Sequence, residues 1–279
     1  MADQKLAVIT GSTGGIGSAI ARQLAEDGWS LVLVNRNQSK AEAQRASLGD
    51  ASVTLVQADF LDVAQIKQAA SKILETHPRI DALYNNSGVL TSRRVTSALG
   101  HESNYAVNVL AAYIMLISLR PGLARVDQAM VINTTSSAQG SAKALDVDTL
   151  SNPAEIGGLT GAYATSKLAL TTFGTALAPA LMADGIRLRS VCPGAVQTPM
   201  TQTSDAMPWF LKLLVPLLFK KPETQARKMV AAARPDSYDG RTGIYITDGK
   251  EKPLPKLAQD PKIQSALLAK LERDATPRG

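Results

Sequence analysis

Tyr163 and Lys167 are the pair of residues whose types and spacing most clearly permit chemistry. Their i, i+4 spacing places both side chains on one face of a helix that begins near Tyr163. A free tyrosine has a pKa of about 10 and is poorly matched to proton transfer at neutral pH. A nearby ammonium group favours the phenolate, so we expect Lys167 to lower the pKa of Tyr163. The same spacing also fits a partly exposed pair on an ordinary helix.

Hydroxyl and amide side chains near predicted strand ends could assist such a proton transfer. Residues 134–137, Thr-Thr-Ser-Ser, follow an apolar strand. A hydroxyl there can hydrogen-bond a substrate oxygen and stabilise developing negative charge. Asn108 lies on an otherwise apolar helix, where a buried amide must find partners. Taken alone, Asn108 fits a structural role.

A glycine-rich turn lies between the first apolar run and an amphipathic stretch. Residues 10–17 read Thr-Gly-Ser-Thr-Gly-Gly-Ile-Gly, so the pattern is strand, turn, helix. Backbone N–H groups at the start of a helix bind phosphate, and glycines let the backbone approach it. The spacing is neither the commoner Gly-x-Gly-x-x-Gly fingerprint nor a P-loop. Its place at the start of the domain favours a dinucleotide cradle over a tight turn.

The residues after the second strand indicate which dinucleotide would bind. The strand ends in Asn35-Arg36-Asn37. An acidic residue there would bind both ribose hydroxyls of NAD, whereas a neutral residue followed by arginine suits the 2′-phosphate of NADP. Arg36 therefore predicts NADP(H), although a surface arginine that opens a helix has the same appearance. Asp59 fits either an adenine contact or a helix cap, and Asp62 is better placed for the cap.

Apolar runs alternate with helical patterns, which is typical of βαβ units. We predict an α/β fold, a Rossmann-type doubly wound parallel sheet of seven strands in a single domain over residues 1–279. Ligands of such sheets bind beyond the carboxyl ends of the strands. After the sixth strand, Pro193-Gly194 fixes a bend, and Val196 and Thr198 are placed to hold a carboxamide. The strands are expected near residues 6–9, 30–34, 52–57, 81–85, 129–134, 187–192 and 243–246.

Composition argues against several classes of protein. Of the 279 residues, 45% are hydrophobic and 19% are charged, as in globular domains. The net charge is +6, but the basic residues are scattered without interleaved aromatics, so we expect no nucleic acid partner. With one cysteine, Cys192, and two separated histidines, we expect neither a disulfide nor a metal site. The first strand begins close to Met1, which leaves no room for a signal peptide and predicts a cytoplasmic protein.

An apolar stretch over residues 207–219 is broken by Pro208 and Pro216. We favour a substrate lid within residues 200–235, while an interfacial membrane anchor next to Lys220-Lys221 and a core helix remain alternatives. No apolar stretch is expected to reach the roughly 18 to 20 residues of a membrane span. The apolar helix after Asn108 is expected to stop at Pro121-Gly122. Residues 248–279 form a C-terminal extension with a final amphipathic helix near 261–273.

Taken in order, these motifs resemble the short-chain dehydrogenase/reductase family over nearly the whole chain. The resemblance implies a catalytic set of Asn108, Ser136, Tyr163 and Lys167, with Asn108 holding a water that feeds protons toward Lys167. The motifs that carry it are the glycine turn, Asp59, Asn85-Asn86-Ser87-Gly88, Asn108, the strand-end serines, Tyr163-x-x-x-Lys167 and Pro193-Gly194. The implied cofactor contacts are Gly11, Ser12, Thr13, Gly15, Ile16, Gly17, Asn35, Arg36, Asp59, Phe60, Asn86, Gly88, Tyr163, Lys167, Pro193, Gly194, Val196 and Thr198.

The sequence departs from the family pattern at two places. Ser87 stands where the family usually has alanine. Counting forward from Asn133 selects Ser136 as the catalytic serine, whereas counting back from Gly140 selects Ser137; we prefer Ser136, because the strand fixes its own end.

The long interval before Tyr163 and the tail from Thr242 resemble the retinol-dehydrogenase-like branch. The resemblance implies an NADP(H)-dependent oxidoreductase that transfers a hydride to or from a small lipophilic ketone, aldehyde or secondary alcohol. A non-catalytic NADP(H)-responsive binding protein and a membrane-surface reductase are the alternatives. A homodimer through the helices that carry Asn108 and Tyr163 is expected unless the tail blocks it.

Overall fold

The fold is built on one twisted sheet. The computed structural model of the protein describes residues 4–205 and 219–276. Eight strands in the described residues lie in the order β3-β2-β1-β4-β5-β6-β7-β8. They are Leu6–Thr10 (β1), Ser30–Asn35 (β2), Val53–Gln57 (β3), Ala82–Asn85 (β4), Ala129–Thr134 (β5), Ile186–Cys192 (β6), Ile244–Thr247 (β7) and Lys250–Lys252 (β8). The first seven are parallel, which confirms the predicted α/β doubly wound sheet.

The eighth strand corrects the predicted count of seven. Lys250–Lys252 pairs antiparallel with β7. Its sequence is Lys-Glu-Lys, so no apolar run signals a strand. A short, charged edge strand of this kind protects the sheet from pairing with another chain.

Helices cover both faces of the sheet. They are Gly15–Glu26 (α1), Gln38–Ala46 (α2), Val63–Thr76 (α3), Ser103–Leu123 (α4), Ala162–Met182 (α5), Pro199–Thr203 (α6), Pro222–Ala232 (α7) and Pro261–Ala275 (α8). Side chains of α1 and α7 pack in one apolar layer, and those of α3, α4, α5 and α8 pack in the other. Within α4, a π-helical stretch, Ala106–Leu110, interrupts the α-helix.

Helix α4 differs from the sequence prediction in two ways. It runs through Pro121 to Leu123 instead of stopping there. Proline removes only one N–H in the last turn, and Gly122 lies so close to Ile80 and Leu74 that a Cβ would stand 2.7 Å from the Leu74 side chain. Contrary to our expectation, the helix is also long and apolar enough to cross a membrane. Its most apolar stretch has a mean hydropathy of 1.5, and 72% of that stretch is buried inside the protein.

The C-terminal extension packs on the rest of the domain. Leu267 and Leu271 of α8 are fully buried in the apolar layer that contains α5. Asp274 accepts a hydrogen bond of 2.8 Å from the Tyr105 hydroxyl on α4. The predicted lid stretch, residues 207–219, lies outside the described residues except for Phe219.

Candidate active site

The glycine turn after β1 is shaped to receive a phosphate group. A Cβ at Gly17 would collide with the Gly11 carbonyl and stand 2.5 Å from the Asn86 amide nitrogen. Gly15 has φ +53° and lies against the Thr198 side chain. Helix α1 begins at Gly15 after Gly14, and no side chain in the described residues caps it. Its first N–H groups are thus available for an anion, and this cradle fits a dinucleotide.

Ser12 and Asn35 shape this turn from inside the protein. The Ser12 N–H donates to Asn35 Oδ1 at 2.8 Å, and Asn35 Nδ2 donates to Ser12 Oγ at 2.8 Å. The Ser12 hydroxyl donates to Gln44 Oε1 at 3.0 Å. All three side chains are buried. The polar groups of Ser12 and Asn35 therefore hold the cradle together, and the direct cofactor contacts expected of these two residues stay predictions.

Arg36 and Asp59 lie at the same edge of the sheet, after β2 and β3. Arg36 is exposed, and its carbonyl accepts a 3.1 Å hydrogen bond from Gln57. Asp59 accepts from the Leu61 N–H at 3.0 Å. Asp62 caps α3 by accepting from Ala64 and Gln65, as the sequence predicted. The neighbouring Phe60 is buried, and Thr13 and Ile16 belong to the turn and the first turn of α1.

The end of β4 is tied to the glycine turn. Asn86 Nδ2 donates to the carbonyls of Thr10 and Gly11 at 3.2 and 3.0 Å. The Thr10 hydroxyl accepts from the N–H groups of Asn86 and Ser87, each at 3.0 Å. Asn85 donates to Asn133 on β5 at 3.0 Å. These amides bridge neighbouring strand ends and hold the cofactor edge rigid.

Tyr163 and Lys167 are buried side by side at the start of α5. They are 7% and 4% exposed, so the interpretation as a partly exposed pair is wrong. The Lys167 Nζ lies 5.8 Å from the centre of the Tyr163 ring and donates to the Thr134 carbonyl at 2.9 Å. The Ser136 hydroxyl lies close enough to the Tyr163 phenol to lower its pKa. The residues after β5 and the first turn of α5 therefore meet at one point.

Burial dominates the acidity of this pair. It raises the pKa of Tyr163 to about 12, while the nearby Ser136 hydroxyl lowers it. Burial also lowers the pKa of Lys167 to about 8. Our expectation of a lowered Tyr163 pKa is therefore wrong, because removal of the phenolate from water dominates and raises the pKa. The phenol is protonated at neutral pH.

The two candidate serines lie in different surroundings. Ser136 Oγ accepts from the Ala138 N–H at 3.2 Å and begins a 3₁₀ turn, Ser137–Ser141. Ser137 is exposed. Of the two serines, only Ser136 interacts with Tyr163, which favours Ser136 as the catalytic serine.

Asn108 lies in the π-helical stretch of α4 and holds the loop after β4. Its Oδ1 accepts from the Val89 N–H at 2.8 Å, and its Nδ2 donates to the Val89 carbonyl and the Ser166 hydroxyl at 3.0 and 2.9 Å. A Cβ at Gly88 would stand 3.2 Å from Asn108 Oδ1 and 3.4 Å from Lys167 Nζ. Both amide hydrogens are engaged by protein groups, so the Asn108 side chain positions Gly88 beside Lys167.

The loop after β6 closes over the glycine turn. Gly194 turns with φ +76°, and the buried Val196 pairs with Lys220. Thr198 caps α6 by accepting from the Thr201 N–H at 3.2 Å. Its methyl group would lie 2.8 Å from a Cβ at Gly15. Pro193 begins the bend, Thr198 lies against the glycine turn, and Met200 packs in the apolar cluster that contains Tyr163.

A family model described as short chain dehydrogenase matches residues 5–209. The chain belongs to this family. Retinol dehydrogenase 13 of Homo sapiens is 29% identical over 278 residues, with 96% of this chain and 84% of the relative covered. Polyprenol dehydrogenase of Homo sapiens is 30% identical over 278 residues, with 95% and 83% covered. These relatives confirm the predicted resemblance to the retinol-dehydrogenase-like branch.

Solved structures share the fold. A 3-ketoacyl-(acyl-carrier-protein) reductase from Brucella melitensis, complexed with NADH, superimposes with a TM-score of 0.68 at 26% identity, with 88% of this chain and 97% of that chain covered. An uncharacterized protein from Mycobacterium Paratuberculosis reaches 0.77 at 22% identity, with 98% and 93% covered, which bears on the fold alone. This protein is thus a short-chain oxidoreductase that acts on alcohols or carbonyls with a nicotinamide cofactor.

Proposed function

We propose that the protein is an NADP(H)-dependent oxidoreductase that transfers a hydride between nicotinamide and a lipophilic ketone, aldehyde or secondary alcohol. The observation that carries this proposal is the buried pair of Tyr163 and Lys167, with the Ser136 hydroxyl near the Tyr163 phenol, beside a phosphate cradle. A protein that only bound a nucleotide would have no physical need to bury a tyrosine hydroxyl and a lysine ammonium together.

Apolar side chains around Tyr163 support a lipophilic substrate. Tyr163 and Leu90 pack together in a cluster, with partly buried apolar side chains against them: Ala138, Leu159, Met200 and Phe219. A surface of this kind gains free energy when it covers hydrocarbon, at about 0.8 kcal/mol for each buried CH₂ group. Retinol and polyprenol, which the relatives' names refer to, are both lipophilic alcohols.

In this reaction, each catalytic side chain would have a separate role. Bound nicotinamide would supply or accept the hydride. Ser136 Oγ would hydrogen-bond the substrate oxygen and stabilise its developing charge. Tyr163 would donate its proton to that oxygen during reduction and take it back during oxidation. Lys167, charged below a pKa of about 8, would offset the negative charge left on Tyr163.

The preference for NADP(H) rests on Arg36, which follows β2 where no carboxylate stands in Asn35-Arg36-Asn37. Titration with NADPH and NADH, followed by nicotinamide fluorescence, tests it. We expect NADPH to bind more tightly and Arg36→Ala to remove most of the difference. The matched control is Arg125→Ala, because Arg125 is also exposed but precedes β5, at the amino end of that strand and not at a carboxyl end. Equal binding of both cofactors by the wild type would refute the preference.

The substrate class is tested with a series of aldehydes and methyl ketones of increasing chain length. Each buried CH₂ is worth about 0.8 kcal/mol, so kcat/KM should rise about fourfold per carbon until the pocket is filled. A flat or falling series would contradict a lipophilic substrate. Tight NADPH binding without oxidation by any carbonyl would favour a nucleotide-responsive binding protein.

A further inference from the structure

A buried hydrogen bond joins the two segments that supply the catalytic groups. The Thr171 hydroxyl donates to Gln139 Oε1 at 2.7 Å. Thr171 lies on α5 one turn beyond Lys167, and Gln139 lies in the 3₁₀ turn that directly follows Ser136. Thr171 is fully buried and Gln139 is 3% exposed. The bond therefore connects the Ser136 turn to the catalytic helix out of reach of water.

Gln139 is the main anchor of that turn. It is the buried residue of Ser137–Ser141, whereas Ser137, Gly140 and Ser141 are exposed. Tyr245 on β7 also interacts with Gln139: burial raises the pKa of Tyr245, while the interactions with Thr247 and Gln139 lower it. A short turn with one buried side chain depends on the partners of that side chain for its position.

We propose that Gln139 and Thr171 are positioning residues that hold Ser136 in place beside Tyr163. The inference rests on the proposed function. Helix α5 is fixed by its buried apolar residues, so the Ser136 turn is the element that shifts when the bond is lost. Removing the Thr171 hydroxyl leaves the buried Gln139 Oε1 without this donor, which costs more than the bond itself contributes. A displacement of about 1 Å at a catalytic group is enough to slow a reaction substantially.

The chain offers a matched pair of variants. Thr171 and Thr172 are both fully buried on α5, and both hydroxyls donate to the carbonyl four residues earlier, at 3.3 and 2.8 Å. Only Thr171 also bonds Gln139. Valine has the shape of threonine without the hydroxyl. We expect Thr171→Val to lower kcat about tenfold or more with an unchanged Kd for NADPH, and Thr172→Val to keep wild-type kcat.

Two further variants complete the test. Thr171→Ser retains the hydroxyl and should restore kcat. Gln139→Leu should lower kcat as Thr171→Val does, and the double variant should be no slower than either single variant, because both remove one bond. Equal losses in Thr171→Val and Thr172→Val, or losses that multiply in the double variant, would overturn the proposal. Circular dichroism and thermal melting establish that each variant is folded.

A spectroscopic measurement separates this inference from the proposed function. In protein labelled with ¹³C-tyrosine, the Cζ resonance of Tyr163 is assigned by its loss in Tyr163→Phe. Because this shift responds to hydrogen bonding of the phenol, we expect it to move in Thr171→Val and to return in Thr171→Ser. An unchanged shift in Thr171→Val would overturn the positioning role even if the enzyme is active. A wild type without turnover would refute the proposed function, and the shift would still test the positioning.

Discussion

Replacing Lys167 by methionine should stabilise the protein while it removes activity. The side chain is 4% exposed, and burial lowers its pKa from 10.5 to about 8. At about 1.4 kcal/mol per pH unit, the lowered pKa means that the folded protein disfavours the ammonium by about 3 kcal/mol below pH 8. Methionine avoids this cost but leaves the Thr134 carbonyl without its 2.9 Å donor, a loss of about 1 to 3 kcal/mol. We expect a net gain in unfolding free energy of up to about 2 kcal/mol at pH 7.

The stability difference should depend on pH with a defined sign. The folded pKa of Lys167 lies below the unfolded value, so the unfolded chain binds more protons between pH 8 and 10.5. Wild-type stability therefore rises with pH relative to Lys167→Met. Between pH 7 and 9.5 the advantage of the variant should fall by about 2 kcal/mol. Titrations of other groups cancel in the comparison.

Urea denaturation of both proteins at pH 7 and 9.5 measures this effect. Lys143→Met, at an exposed lysine, is the control and should show no such pH dependence. A Lys167→Met variant that is less stable than the wild type by the same amount at both pH values would refute the reasoning. The variant should also lose turnover, since stability and activity oppose each other at a buried catalytic lysine.

Three other changes have clear expected outcomes. Ser136→Ala should lower kcat about 10²-fold, whereas Ser137→Ala should leave it unchanged, as steady-state kinetics will show. Gly17→Ala should abolish NADPH binding in fluorescence titration, because its Cβ would collide with Gly11 and Asn86. Asp62→Ala should destabilise the protein by about 1 kcal/mol in urea denaturation through loss of the α3 cap, without changing NADPH affinity.

The features that sequence predicted well are local ones. The spacing of Tyr163 and Lys167 could be predicted because the helix period fixes it within one turn. The glycine turn could be predicted because the strand-turn-helix pattern spans only a few residues. Contacts such as Ser12 with Asn35 and Thr171 with Gln139 join residues 23 and 32 positions apart, and only the folded chain brings them together.

The features that the sequence predicted wrongly depend on burial and on tertiary packing. The pKa of Tyr163 is governed by desolvation, which no spacing reports, and the helix passes Pro121 because tertiary packing outweighs a local stop signal. The strand Lys250–Lys252 carries no apolar pattern, because it covers an edge and contributes little to the core.

Tyr163→Phe tests the central claim most directly. NADPH oxidation with lipophilic ketones and aldehydes is measured for the wild type and the variant, together with NADPH affinity by fluorescence. We predict that the variant binds NADPH as the wild type does and loses about 10²- to 10⁴-fold in kcat, the contribution expected of a general acid. Turnover by Tyr163→Phe at the wild-type rate would remove Tyr163 from the chemistry and contradict the account.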